Sequence, residues 1–128
     1  MINVLECVTD FPDDHIEDGG RIVQLGGRAV ACAVSELLKD TGMITTIPEL
    51  DRAHGWWFDA AQDGQRYYIL VTDEGGSEML ILAKDESPLR RRWFGRNKAN
   101  YVRFINDLRR LLSEHERFRS VGEWESIR

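Results

Sequence analysis

The sequence predicts an α+β domain: an antiparallel meander of three to four strands packed against two helices, in the order α-β-β-β-α-β, with room for an extra N-terminal strand. Three observations lead there. Apolar residues recur at a helical period between Ile16 and Leu38, the period switches to two after Pro48, and it returns to helical between Tyr101 and Leu112. With 128 residues, 42% of them hydrophobic, the chain can bury one core and is too short for two, so residues 1–128 are expected to be a single domain.

The first segment, Ile2 to Val8, reads as a short strand, with Ile2, Val4 and Glu6 pointing one way and Asn3, Leu5 and Cys7 the other. Next, Ile16, Val23, Val30, Val34 and Leu37 fall on one helical stripe, supported by Leu25, Ala29, Ala33 and Leu38, and Gly42 stands where a terminating glycine belongs. A helix over about 14 to 40 is therefore expected. Gly19, Gly20, Gly26 and Gly27 each cost it roughly 1 kcal/mol, so either the helix starts later or a partner packs tightly on the glycine side.

After Pro48, Gly55-Trp56-Trp57-Phe58-Asp59-Ala60-Ala61 and Arg66-Tyr67-Tyr68-Ile69-Leu70-Val71-Thr72 flank an Asp63-Gly64 turn, a hairpin signature. A second turn, Asp73 to Ser77, leads into Glu78-Met79-Leu80-Ile81-Leu82-Ala83-Lys84. These last two strands are apolar on both sides. One side can take the helices; the other calls for a loop, the N-terminal strand or another chain. Ser87-Pro88 breaks the third strand, and from Asn97 or Asn100 a second helix aligns Tyr101, Phe104, Ile105, Leu108, Leu111 and Leu112. Phe118 to Glu125 could add an edge strand.

Charge divides the chain. Residues 1–86 hold 6 Lys and Arg against 17 Asp and Glu, a net of −11, while residues 87–119 hold 10 against 3, a net of +7. The two parts can simply neutralise each other, or each can attract a partner of opposite sign. No apolar run approaches the roughly 18 residues of a membrane span, and the first residues lack the basic and small-residue marks of a secretory signal, so a cytoplasmic protein without membrane contact is expected. Cys7 and Cys32 stand too far apart for a metal or redox pair and are expected to be buried.

Motifs for bond chemistry are missing, and an enzyme is not expected. The acidic run Asp13-Asp14-His15-Ile16-Glu17-Asp18 fails as a calcium loop, because Asp18 occupies the turn-glycine position and Gln24 the place of the bidentate Glu. His15, His54 and His115 form no zinc-binding pair, there is no Gly-x-Ser-x-Gly elbow, and Leu25-Gly26-Gly27-Arg28 lacks the rest of a phosphate loop. No metal and no cofactor are called for. An enzyme would have to assemble its site from scattered residues such as His54, Asp59 and Asp73.

Binding has more support. Arg90, Arg91, Arg92, Trp93 and Arg96 lie in the stretch 90–98 with Phe94 and Lys98, and guanidinium groups beside rings suit a carboxylate-rich protein surface, a phosphate or a stacked base. The plain alternative is that Trp93 and Phe94 fill the core while the arginines pair with the acidic half. Trp56 and Trp57 must point to opposite sides of a strand, so one indole is exposed unless both sides are covered, and Trp57 is counted among the candidate binding residues. Asp13 and Asp14 offer a basic partner, such as a nuclease, an acidic docking point. The function expected from the sequence is a non-catalytic protein-binding module, most concretely an immunity-type inhibitor of a toxin or effector, or an adaptor or chaperone of a bacterial partner. Nucleic-acid or phosphate-ligand binding through 90–98 ranks behind it, and a homodimer is compatible with both.

Overall fold

The computed structural model describes residues 2–87 and 96–123, with the side chains of residues 96 and 97 left aside. It is α+β with a mostly antiparallel sheet. The strands are β1 (Ile2–Thr9), β2 (Ile16–Asp18), β3 (Arg21–Gln24), β4 (Ile44–Thr45), β5 (Glu49–Asp51), β6 (Gly55–Gln62), β7 (Gln65–Gly75), β8 (Glu78–Asp85) and β9 (Phe118–Glu123). The helices are α1 (Arg28–Asp40) and α2 (Arg96–Glu114). Seven strands form the main sheet in the order β4-β6-β7-β8-β1-β9, with β5 also paired to β6, while β2 and β3 make a separate ribbon.

The meander is present: β6 and β7 meet at an Asp63-Gly64 turn with φ 52° and 76°, and β7 pairs β8 from Tyr67↔Asp85 onward. The sheet is nevertheless larger than three or four strands, and the element order is β-β-β-α-β-β-β-β-β-α-β rather than α-β-β-β-α-β. The N-terminal strand does not cover the meander but extends it, pairing β8 in register Leu5↔Ile81, and β9 pairs β1 as the edge. A strand that joins the ladder satisfies its own amides and carbonyls, which a covering strand would leave to find other partners.

The first helix starts at Arg28, not near residue 14. Gly19 and Gly20, at φ 59° and 80°, turn the chain between β2 and β3, and Gly27, at φ 108°, ends the preceding loop in a left-handed conformation that a helix interior excludes. What reads as one helical stripe over residues 16–38 is a hairpin followed by a helix, whose residues share the period by coincidence.

Both helices cover one side of the sheet. Leu5, Phe58, Ile69, Val71 and Ile81, all fully buried, pack with Val30, Val34 and Leu38 of α1 and Tyr101, Ile105, Leu108 and Leu112 of α2 in one cluster. Each such side chain contributes about 1.5–3 kcal/mol relative to exposure. Tyr101 donates a hydrogen bond from Oη to the Ala83 carbonyl at 2.8 Å, tying α2 to β8. On the other side Val4 and Leu70 are buried and Trp57, Tyr68, Leu80 and Leu82 half-buried. Where β8 ends, Ser87 Oγ accepts from the Arg66 amide at 2.9 Å, and its own amide donates to Asp85 Oδ1 at 2.9 Å. Cys7 is buried as expected, but Cys32 is exposed, because the buried stripe of α1 runs through Val30, Ala31, Val34, Ser35 and Leu38. Among the described residues no helix is long and apolar enough to cross a membrane.

Candidate interaction surface

Among the described residues, Trp57 and the pair Asp13 and Asp14, all expected at the site, lie apart. Arg90, Arg91, Arg92 and Trp93 lie outside the described residues, and Arg96 is the first residue of α2. Trp57 sits on the side of the sheet away from the helices, half-buried, its ring stacked on Tyr68 with centroids 5.6 Å apart. Asp13 and Asp14 belong to the helix side instead. Asp14 reaches across thirteen or more positions to the start of α1, where Oδ1 accepts from the Gly27 and Arg28 amides at 2.8 and 3.3 Å and Oδ2 from the Ala29 amide at 2.7 Å. Those amides have no partner within the helix, and the carboxylate also meets the positive end of its dipole. Asp13 Oδ1 accepts from the His15 amide at 3.0 Å, in a local turn.

The scattered polar residues are likewise apart. Asp59 shares the helix-free side with Trp57 and pairs Arg66 at 3.4 Å, whereas Asp73, in register with Met79, faces the helices. His54 bonds Asp51 at 3.1 Å in the turn between β5 and β6, where the Ala53 amide and then the His54 ring hold the Asp51 carboxyl below its ordinary value. Among the described residues no group of three His, Cys, Asp or Glu side chains is placed to hold a metal ion. A cleft of about 280 Å³ between α1, the β6–β7 turn and α2 is bordered by Arg103, Arg110, Asn100 and Tyr67.

Exposed large hydrophobic side chains mark a different place. Ile16, Ile22 and Val23 are 48%, 57% and 55% exposed on the β2–β3 ribbon, and Ile44 and Ile47 are 77% and 85% exposed on the β4–β5 stretch. Val102 is the sixth of this kind among the described residues, so five of the six lie in two short segments. These segments border a groove of about 460 Å³ lined by Arg21, Ile22, Val23 and Leu25 on one bank and Leu50 and Arg52 on the other.

Local chemistry explains why the banks stand where they do. Trp56, buried on β6, donates from Nε1 to the Leu25 carbonyl at 2.8 Å, and Arg28 lies over its ring with the guanidinium carbon 5.5 Å from the centroid. That indole ties the end of the ribbon to the main sheet. Gln24 Nε2 donates to the Asp14 carbonyl at 2.7 Å, fixing the ribbon from its other side. Leu50 is paired with Trp56 across β5 and β6, so the far bank rests on the same residue.

Reading the ribbon as helix hid this surface. Asp18-Gly19-Gly20, with Ile16 before it and Ile22-Val23 after it, is the signal that could have revealed a hairpin. A scan against protein-family models finds no match for the chain, and neither does a search of curated proteins.

Proposed function

We propose that this chain is a non-catalytic protein-binding module that engages its partner through the β2–β3 ribbon and the β4–β5 edge. The observation that carries the reading is that five of the six exposed large hydrophobic side chains among the described residues lie on those two segments, two of them, Ile22 and Val23, lining the groove. Single exposed apolar residues are ordinary, but Ile22 and Val23 side by side on one bank of a groove cost solvation unless something covers them. An immunity-type inhibitor of a toxin or effector, or an adaptor or chaperone, is the most concrete form, since each acts by covering a partner and forms no bond. A cytoplasmic location belongs to the same proposal and agrees with two free thiols, Cys7 and Cys32.

The test is affinity capture from host lysate with the tagged wild-type chain beside Ile22→Asp and Ile47→Asp, both at exposed positions where folding is little affected. The expected outcome is a protein retained by wild type and lost with either variant at unchanged melting temperature. Retention that survives both substitutions, or that disappears on nuclease treatment, overturns the proposal; the second result would favour nucleic-acid binding instead.

A further inference from the structure

Residues 1–86 contain six cations, and their distribution is uneven. Lys39, Arg66 and Lys84 each pair an acid, namely Glu36, Asp59 and Glu86. Arg21, Arg28 and Arg52 pair none among the described residues, although 17 carboxylates share this part of the chain. Two of them, Arg21 and Arg52, line the groove from opposite banks, while Arg28 lies over the Trp56 indole instead. In a strongly acidic body, two guanidiniums without an acid partner, one on each bank of a cleft whose other lining residues are apolar, are the local complement of a carboxylate-bearing ligand.

The backbone adds a second condition. Among the described residues β3 is paired on one side alone, by β2, and β5 on one side alone, by β6. Three successive residues of β3, Arg21, Ile22 and Val23, border the groove, so it is the strand's length and not one side chain that forms the bank. Each strand therefore has an edge whose amides and carbonyls are free to take another strand.

Resting on the binding function proposed above, the geometry points to the occupant: an extended peptide segment of a partner protein, with apolar side chains in its middle and acidic residues flanking them. Its apolar side chains rest against Ile22, Val23, Leu25 and Leu50. Its carboxylates meet Arg21 and Arg52, and its backbone bonds the free edge of β3 or β5. This is strand addition, in which main-chain bonds supply affinity and the side-chain pockets supply sequence preference.

The experiment uses the full chain, ¹⁵N-labelled, titrated with two synthetic peptides, Glu-Val-Leu-Val-Glu and Lys-Val-Leu-Val-Lys, both blocked at their ends. The acidic peptide is expected to shift the amides of residues 21–25 and 50–52 and to bind at least about tenfold more tightly than the basic one. In Arg21→Glu/Arg52→Glu the preference should reverse. Equal binding of both peptides, shifts elsewhere, or an unchanged preference in the charge-reversed variant overturns the assignment. Failure here is distinguishable from failure of the function: if neither peptide binds while Ile22→Asp still abolishes capture of the host partner, the surface stands and the extended acidic peptide falls.

Discussion

Replacing Asp14 by Ala separates a structural carboxylate from a merely exposed one. Its two oxygens accept three amides at the start of α1, at 2.7, 2.8 and 3.3 Å, and the first turn of α1 holds no acid of its own. An ordinary N-cap side chain is worth about 1 kcal/mol, and an acid at the positive end of the helix adds about 0.3–1 kcal/mol. Asp14→Ala also leaves those amides without a protein acceptor in a half-buried setting, so the expected loss is about 2 kcal/mol. For a domain of this size that lowers Tm by roughly 6–8 °C. Asp14→Asn, which keeps an acceptor and removes the charge, should lose about half as much.

Thermal and urea unfolding measure the loss, and hydrogen exchange locates it, since the amides of Gly27 and Ala29 should lose protection first. Asp13→Ala is the control: its one bond is local and exposed, so a change beyond about 0.5 kcal/mol is not expected. If Asp14→Ala unfolds with the wild type, or if Asp13→Ala costs as much, the carboxylate is not what holds the start of α1.

Three further outcomes are expected. Tyr101→Phe should destabilise by about 1–2 kcal/mol by deleting the bond to Ala83, whereas Tyr67→Phe should be neutral or slightly stabilising. The Tyr67 hydroxyl makes no hydrogen bond to any described residue although the side chain is 3% exposed; equal losses in urea unfolding would refute the contrast. At neutral pH iodoacetamide should modify one thiol of the folded chain, the exposed Cys32. Burial pushes the Cys7 thiol up to about 11, so native labelling that persists in Cys32→Ser would contradict its burial. His15 should titrate above its ordinary 6.5, because Glu17 accepts its ring hydrogen bond, which outweighs an opposing desolvation, and the charges of Glu17, Asp13 and Asp73 add to the rise. A raised pKa in the folded state means that its stabilising contribution is complete below the ordinary value and fades as pH rises through the folded one. NMR titration should show the elevation and its reduction in Glu17→Gln.

Much of the fold is determined by local pattern. The Asp63-Gly64 turn, the alternation on either side of it and the stripe Tyr101 to Leu112 each answer to forces between near neighbours, and these elements stand where periodicity puts them. The region from Asp13 to Gly27 does not answer to near neighbours in this way. Ile16, Val23 and Val30 keep a helical spacing, yet Gly19-Gly20 and Gly27 divide that stretch into a ribbon and a helix. The division is stabilised by remote partners: Asp14 against α1, and Trp56 against Leu25.

The candidate surface follows the same rule. Composition and spacing alone reveal that the first 86 residues are acidic with few cations and that the chain carries no motif for metal or nucleophile chemistry. Which cations are paired is decided in three dimensions. Lys39 and Lys84 find acids within three residues along the chain and Arg66 finds one across strands, while folding brings Arg21 and Arg52 from two separate segments to opposite banks of one groove. Charge counted along a chain is a sum, but recognition depends on separations of a few ångströms, and only tertiary packing sets those.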